Sequence, residues 1–242
     1  GDAPQLQQGY QFMKKRSDGS PSRRVESSQQ GIHERLEETV RKHLAHPFRK
    51  PYAAHNIEAF AQAQQWLASR NQPLILDSFC GVGESSWRLA ERFPDCVIIG
   101  VDKSAARLQK HASHRGSERD NYLLLRADVD DFWRLAVDAG WQPRAHYLLY
   151  PNPWPKPGQL SLRVHGSPLF ASLLALGGEI ELRSNWPVYV DEFCAALQLA
   201  GRDASSECFV PKTTLTPFER KYHEAGQALW RVCSPALSPI PG

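Results

Sequence analysis

Apolar and polar stretches alternate regularly along the chain from Pro73 onward. Five short apolar runs occur there, and each is followed by a stretch of amphipathic character. Continuous apolar runs of this length are typical of strands buried on both faces. The predicted strands are Leu74–Leu76, Val97–Val101, Tyr122–Leu125, Tyr147–Tyr150 and Ile180–Leu182, and the predicted helices are Glu84–Phe93, one from Ser104, one from Asp131, Phe170–Leu176 and Val190–Leu199. Five successive βα units predict a mostly parallel sheet with helices on both faces.

The C-terminal part departs from this alternation. Two further apolar runs, Cys208–Val210 and Ala228–Val232, are separated by a polar stretch around Thr213–Lys221 that shows no clear helical pattern. Two strands without an intervening helix predict a closing antiparallel hairpin. The predicted α/β sheet therefore has seven strands and differs from a plain dinucleotide-binding sheet.

The N-terminal part is predicted to be a tail followed by helices. Residues 1–30 consist of Gln, Ser, Pro and charged residues with few aliphatic ones, so they cannot offset the entropy of ordering. Apolar residues at four-residue steps from Ile32 to Leu44 predict a helix ended by Pro47, and a second helix is expected over Asn56–Ser69. The predicted organisation is a disordered basic tail (1–30), a helical segment (31–72), the main domain (73–234) and a C-terminal tail (235–242).

Composition limits the class of protein. The 242 residues are 41% hydrophobic, which suffices for one medium-sized core, and no apolar run approaches the ~20 residues of a membrane span. The net charge of +3 is compatible with a polyanionic partner without demonstrating one. Five cysteines without a C-x-x-C pair indicate neither a disulfide framework nor a zinc site. We therefore expect a cytoplasmic protein with no metal and no membrane contact. The sequence does not determine the oligomeric state, which is left open between a monomer and a weak dimer.

Candidate binding residues follow the predicted strands. In an open parallel sheet, ligands bind beyond the carboxyl ends of the strands. A nucleoside cofactor needs glycines for close backbone approach, a carboxylate for the ribose hydroxyls and an acceptor for the adenine amine. Asp102 and Asp128 are candidates for the last two, although each alone also fits a turn or a helix N-cap. The predicted cofactor residues at these strand ends are Asp77, Gly81, Gly83, Asp102, Asp128 and Asn152.

The glycine turn favours one class of cofactor. Gly81 and Gly83 lack the G-x-G-x-x-G spacing that packs a pyrophosphate against a helix N-terminus. A diphosphate cofactor is therefore disfavoured. S-adenosylmethionine, a small sulfonium nucleoside, needs close backbone approach but no phosphate cradle, so it is the predicted cofactor.

Three motifs carry a resemblance to a known family. They are Tyr150-Pro151-Asn152-Pro153-Trp154-Pro155-Lys156, Ser184-Asn185-Trp186 with Tyr189, and Thr216-Pro217-Phe218-Glu219 followed by Trp230. In this order they resemble the tRNA (guanine-N7)-methyltransferases, over about Pro73 to Val232. The resemblance implies a Rossmann-like class I methyltransferase fold, S-adenosylmethionine as cofactor and tRNA or another RNA as partner. It also implies Asn152, Asn185 and Glu219 as catalytic residues, Thr216 as a cofactor residue, and a substrate site of Trp154, Lys156, Asn185, Trp186 and Glu219.

The chain departs from the family pattern at several of these positions. The family has carboxylates where this chain has Asn152 and Asn185, and a glycine where it has Phe79. Its arginine after the Phe-Glu pair corresponds to Lys221, and its basic stretch after the Trp-Pro-Lys segment is reduced here to Arg163 and His165. The chain therefore resembles a divergent paralogue.

Two other functions remain open at this point. Asp77-Ser78-Phe79-Cys80-Gly81 with Asn152-Pro153-Trp154 is also similar to the D-P-F-C-G and N-P-P-aromatic pair of amino-methyltransferases, in which the Asn oxygen accepts the protons of a planar amine. The third alternative is a module that binds S-adenosylmethionine and RNA without efficient catalysis.

Overall fold

The computed structural model describes residues 24–104 and 120–237. The chain forms seven strands, β1 to β7, over Leu74–Ser78, Val97–Asp102, Tyr122–Arg126, Ala145–Leu149, Glu179–Ser184, Ser205–Phe209 and Leu229–Ser234. The described helices, α1 to α7, span Leu36–Ala45, Ala54–Ala68, Glu84–Arg92, Val129–Asp138, Leu169–Leu176, Pro187–Leu199 and Pro217–Glu224. Short 3-10 helices cover Pro157–Leu162 and Val164–Gly166. The helix predicted from Ser104 falls largely outside the described residues.

All seven strands form one sheet in the order β3-β2-β1-β4-β5-β7-β6. The first five are parallel, whereas β7 runs antiparallel to both β5 and β6. The predicted mostly parallel sheet with an antiparallel C-terminal pair is confirmed. The sequence predicts a loop without a helix between the last two strands. This prediction is wrong, because the polar stretch contains α7. Thr216 caps this short helix and Pro217 occupies its first turn, and its mostly polar sequence hides the helical period.

Hydrophobic side chains fill both faces of the sheet. Successive strand residues point to opposite faces, so Leu76 belongs to one buried cluster and its neighbour Ile75 to the other. The first cluster is larger because α1, α2, α4, α5 and α6 all contribute to it. Among the residues that the structure describes, no helix is both long and apolar enough to cross a membrane.

The N-terminal residues take part in this packing. Leu36 and Val40 of α1 are buried, whereas Ile32 and Leu44, which share the predicted apolar stripe, are 50% and 39% exposed. The segment from Arg24 to Gln30, which the sequence places in the mobile tail, contacts the domain: Ser27 Oγ donates to Pro155 O at 2.5 Å. The tail prediction is thus wrong for these residues, because their polar side chains find partners in the domain.

Candidate active site

The carboxyl ends of the central strands meet at one edge of the sheet. The register pairs Ser78 of β1 with Val101 of β2 on one side and with Leu148 of β4 on the other. The strand order reverses between β1 and β4, which is the switch point where open α/β sheets bind ligands. The loops that follow β1, β2, β4 and β5 therefore form a common site, which we call the carboxyl edge.

The glycine turn after β1 leaves room for a ligand. Gly81 and Gly83 have φ angles of +59° and +89°, a left-handed region that glycine adopts without strain. A Cβ atom placed on Gly81 would meet nothing within 4 Å. The Gly81 amide donates to Asp102 Oδ2 at 3.0 Å, and the Ser104 amide donates to Asp102 Oδ1 at 2.9 Å. The structure thus brings the predicted pair of Gly81 and Asp102 together at the carboxyl edge.

Asp77 lies beneath this turn and is fully buried. Its Oδ2 accepts hydrogen bonds from Ser85 at 2.5 Å and Ser86 at 2.8 Å, whereas Oδ1 has no protein partner. Burial raises the pKa of Asp77 to about 6, although the two serine hydrogen bonds oppose that shift. Asp77 therefore anchors the start of α3, and it holds one unpaired polar atom under the turn.

Asp128 stands at the start of α4 and is held by α2. Its Oδ2 accepts a hydrogen bond from Asn56 Nδ2 at 3.0 Å, and its amide donates to Asn56 Oδ1 at 2.9 Å. Asn56 is fully buried and also donates to Asp131 Oδ2 at 2.7 Å. Asp128 occupies the N-cap position, but its side chain does not cap the helix. Sequence reasoning missed Asn56, because nothing in its local sequence marks a partner 72 residues away.

A cleft lies beside the glycine turn, at the ends of β4 and β5. Asn152 and Asn185 both contribute neutral amides to it, as the sequence predicted for a shared site. Asn185 Nδ2 donates to Gln227 Oε1 at 3.2 Å, and Asn152 Oδ1 accepts a long hydrogen bond of 3.4 Å from the Trp154 amide. The cleft is lined by Tyr150, Pro151, Asn152, Pro153, Asn185, Phe218 and Tyr222. Its walls are thus mainly aromatic and proline rings, with two amides as polar groups.

Glu219 is held by partners within the protein, and its predicted direct contact with cofactor or base stays a prediction. Its side chain is fully buried, and its carboxylate pairs with Arg183 Nη1 at 3.0 Å. The same carboxylate accepts hydrogen bonds from the Tyr150 hydroxyl at 2.5 Å and the Leu215 amide at 3.0 Å. Burial and the neighbouring Glu219 charge raise the pKa of Tyr150 well above its usual value. Glu219 therefore holds the cleft residue Tyr150 from behind.

The predicted substrate residues divide into exposed and buried ones. Lys156 is exposed and Trp154 is partly exposed, so both reach the rim. Trp186 is only 5% exposed and belongs to the larger core cluster, so the structure does not place it at the cleft and its contact with substrate stays a prediction. Its motif position gave no information on which way the ring points. Thr216, predicted as a cofactor residue, accepts a hydrogen bond from the Glu219 amide at 2.9 Å.

Backbone strain is concentrated at the carboxyl edge. Within the described residues, the non-glycine residues with left-handed φ are Phe79 at +61°, Tyr150 at +55° and Trp154 at +44°. All three follow β1 or β4. Such conformations cost about 1–3 kcal/mol each and persist only where the surroundings impose them. For Phe79 the sequence held a signal, since the resembling family has a glycine there.

A family model described as "Putative methyltransferase" matches residues 71–232, which include β1 to β6, most of β7 and the carboxyl edge. The chain belongs to this methyltransferase family. It is thus an enzyme of the methyltransferase class, and the predicted class is confirmed.

Sequence relatives of this methyltransferase carry a more specific name. The tRNA (guanine-N(7)-)-methyltransferase of Leifsonia xyli subsp. xyli (strain CTCB07) is 28% identical over 174 residues, which are 68% of this chain and 76% of the relative. The protein of the same name from Acidithiobacillus ferrooxidans (strain ATCC 23270) is 28% identical over 194 residues, 74% of this chain and 82% of the relative. These matches confirm the resemblance seen in the motifs.

Solved structures share the fold of this methyltransferase. The crystal structure of the 16S rRNA methyltransferase KamB superposes with a TM-score of 0.55 at 17% identity, covering 78% of this chain and 96% of that one. The antibiotic-resistance methyltransferase Kmr gives a TM-score of 0.51 at 22% identity, covering 75% of this chain and 94% of that one. The predicted Rossmann-like class is therefore confirmed.

Proposed function

We propose that this enzyme transfers a methyl group from S-adenosylmethionine to N7 of a guanine in tRNA. The observation that carries the proposal is the cleft between Asn152 and Asn185, which opens at the same sheet edge as Gly81 and Asp102. A cofactor held at the glycine turn would thus share the carboxyl edge with the two amides that we propose to bind the base. The names of the sequence relatives support the choice of guanine N7 and of tRNA.

The residues at the glycine turn fit an adenosyl cofactor. Gly81 faces open space, Asp102 places a carboxylate directly beside it, and Asp77 Oδ1 is a buried polar atom without a protein partner. Asp102 would accept the ribose hydroxyls and Asp128 the adenine amine, and the backbone at Gly81 and Gly83 allows close approach. When bound, S-adenosylmethionine supplies an electrophilic methyl group.

Methylation of guanine N7 needs alignment and no proton acceptor. N7 has an in-plane lone pair and no proton to lose, so no general base is required. The amide oxygens of Asn152 and Asn185 can accept hydrogen bonds from guanine N1–H and its exocyclic amine. The rings of Tyr150 and Phe218 form apolar walls for the base. Correct placement of the reacting atoms can lower such a barrier by on the order of 7 kcal/mol.

The rim of the carboxyl edge suits a phosphate backbone. Lys103 follows β2 and Lys156 follows the Asn-Pro-Trp motif, and both side chains are exposed. Lysines at a rim supply sequence-independent attraction to RNA phosphates, whereas the cleft would select the base. This division agrees with a tRNA substrate.

Product analysis tests this proposal. The enzyme is incubated with unmodified tRNA and S-adenosylmethionine, and the digested nucleosides are identified by chromatography and mass spectrometry. We expect 7-methylguanosine, and Asn152→Ala or Asn185→Ala to lower kcat/KM about tenfold, because a lost hydrogen bond to the base costs about 1.4 kcal/mol. Absence of 7-methylguanosine with folded wild-type enzyme, or unchanged kinetics in both variants, would contradict the proposal.

A second candidate is methylation of a planar amine. The observation in its favour is that Asn152 is a neutral amide followed by Pro153 and Trp154, and that Asn152 and Pro153 both line the cleft. In that reaction the Asn oxygen and the proline carbonyl would accept amine protons and leave the nitrogen lone pair to attack. The same digest separates the two, since an N-methylated amine and 7-methylguanosine have different retention times.

A further inference from the structure

Arg163 forms a buried ion pair behind the Asn-Pro-Trp motif. It lies between the two short 3-10 helices, and its side chain is fully buried. Its Nη1 donates to Glu192 Oε1 of α6 at 2.8 Å, and the Glu192 side chain is also fully buried. The sequence places Arg163 in the reduced basic stretch after the Trp-Pro-Lys segment, yet its side chain is fully buried.

Three successive backbone carbonyls of the motif accept hydrogen bonds from side chains behind it. Arg163 Nε donates to Trp154 O at 3.0 Å, and Arg163 Nη2 donates to Lys156 O at 3.1 Å. The carbonyl between them, Pro155 O, accepts from Ser27 Oγ at 2.5 Å. We call Trp154–Lys156 the held segment. Since Trp154 has a φ of +44°, this segment needs outside contacts to keep its conformation.

Glu192 ties the N-terminal segment into the same network. Its Oε2 accepts from Gln29 Nε2 at 2.6 Å and from the His33 amide at 2.9 Å, and Gln29 Oε1 in turn accepts from Arg163 Nη2 at 3.1 Å. His165 Nε2 lies 2.8 Å from Glu192 Oε1. Burial alone would raise the pKa of Glu192, but the hydrogen bond to His165 and the charges of His165 and Arg163 lower it to about 2. Glu192 is therefore ionised near neutral pH.

We propose that Arg163, oriented by Glu192, is a positioning residue that fixes the held segment and, through it, Trp154 and Asn152 at the cleft. The connection to Asn152 is direct, since the Trp154 amide donates to Asn152 Oδ1. Arg163 donates to two carbonyls of the held segment as well as to Glu192, so it fixes this segment relative to α6. The effect on methyl transfer rests on the proposed function, whereas the effect on the held segment does not.

The test compares variants that separate positioning from stability. Arg163→Met with Glu192→Leu removes both charges, because a buried ion pair can often be replaced by apolar groups without unfolding, whereas either single change leaves a buried charge. Arg202→Met is the matched control. Arg202 is also buried and donates to the backbone carbonyls of Gly178 and Pro235, but at the opposite edge of the sheet. Ser27→Ala is a milder third variant that removes one hydrogen bond to Pro155 O.

Methyl transfer to tRNA is measured at a fixed interval below each protein's Tm, together with the Kd for S-adenosylmethionine. We expect the double variant to lose at least tenfold in kcat, with its cofactor Kd within twofold of wild type. Ser27→Ala should lose severalfold, and Arg202→Met should stay within twofold of wild type in both quantities. A wild-type kcat in the double variant, or an equal loss in Arg202→Met, would overturn the positioning role.

Hydrogen–deuterium exchange gives a readout that does not depend on activity. The amides of Trp154, Lys156 and the 3-10 helix that follows should exchange faster in the double variant and in Ser27→Ala, and at the wild-type rate in Arg202→Met. Unchanged exchange in this peptide would refute the inference even if activity fell. If wild type forms no methylated nucleoside but exchange in the variants rises as expected, the proposed function fails and the positioning of the segment stands. If the double variant does not fold, the kcat and the hydrogen–deuterium exchange of Ser27→Ala decide whether the positioning role stands.

Discussion

The acidic residues of the carboxyl edge differ in what holds them. Asp102 and Asp77 are both buried, but Asp102 accepts hydrogen bonds from the Gly81 and Ser104 amides on its two carboxylate oxygens, whereas Asp77 has one oxygen unpaired. Burial disfavours the charged form of Asp77 and raises its pKa to about 6. The enzyme thus keeps, under its predicted cofactor site, a carboxylate whose ionisation costs stability.

Replacement of Asp77 should reveal this cost through its pH dependence. The pKa of Asp77 in the folded protein is about 6, above the ordinary value of 3.8, so the folded state holds a proton that the unfolded state has lost. Stability from this group is therefore fully present below about pH 4 and declines up to about pH 6. We expect the unfolding free energy of wild type to fall by about 2 kcal/mol relative to Asp77→Asn between pH 4.5 and 7. Urea unfolding at several pH values measures it, and parallel profiles for the two proteins would contradict the assignment.

Residue types at strand ends could be predicted, but side-chain directions could not. Asp102 and the glycine turn follow from the rule that ligands bind beyond parallel strand ends, and the structure places them together. Glu219 and Trp186 were assigned by motif alone, and both are buried. Whether a motif residue faces a cleft or the core depends on partners elsewhere, such as Arg183 for Glu219, 36 residues away. Such distant pairs leave no local pattern in the sequence.

At the scale of elements, helix α2 supports the cofactor side of the site. It contributes the buried Asn56, which binds both the backbone and the side chain of Asp128 at the start of α4. The sequence identified α2 as a helix leading to the core but gave it no part in the site. Helix α7 likewise brings Phe218 and Tyr222 to the cleft. The sequence does not predict this helix, because its residues form no clear apolar stripe.

Asn56→Ala should therefore weaken cofactor binding. Loss of three hydrogen bonds frees the Asp128 turn, and we expect the Kd for S-adenosylmethionine to rise about tenfold by calorimetry, with a stability loss of about 1–3 kcal/mol. Asn121→Ala is the matched control. This buried asparagine precedes β3 at the opposite edge and donates to the Ala90 and Cys96 carbonyls, so its loss should cost similar stability but leave the Kd unchanged. Equal Kd changes in both variants would refute the link.

At the scale of the whole molecule, contacts with the domain begin earlier along the chain than the composition of the N-terminal segment predicts. Composition identifies residues 1–30 as too polar to form a core of their own. Composition could not show that Ser27 donates a hydrogen bond to the held segment and that Gln29 donates one to Glu192. The basic cluster Lys14-Lys15-Arg16 lies outside the described residues, and we predict that it supplies contacts to RNA phosphates.

Removal of residues 1–23 should reduce the electrostatic part of RNA binding. This piece carries Lys14, Lys15, Arg16 and Arg23, and each phosphate contact adds about 0.9 to the slope of log K against log salt on duplex nucleic acid. We expect the slope for tRNA to fall by about 2 to 3, measured by fluorescence anisotropy at several salt concentrations. Removal of the uncharged residues 238–242 serves as the control and should leave the slope unchanged. An unchanged slope after the N-terminal deletion would argue against phosphate contacts there.

The central claim is that the cleft beside the glycine turn holds a guanine. A crystal structure of the enzyme with S-adenosylhomocysteine and guanosine monophosphate tests it most directly. The adenosyl group should lie at Gly81 and Asp102, and the guanine between Tyr150 and Phe218, with its N1 and exocyclic amine about 2.7–3.2 Å from the Asn152 and Asn185 amide oxygens. A base bound away from these two amides, with the adenosyl group in place, would contradict the account.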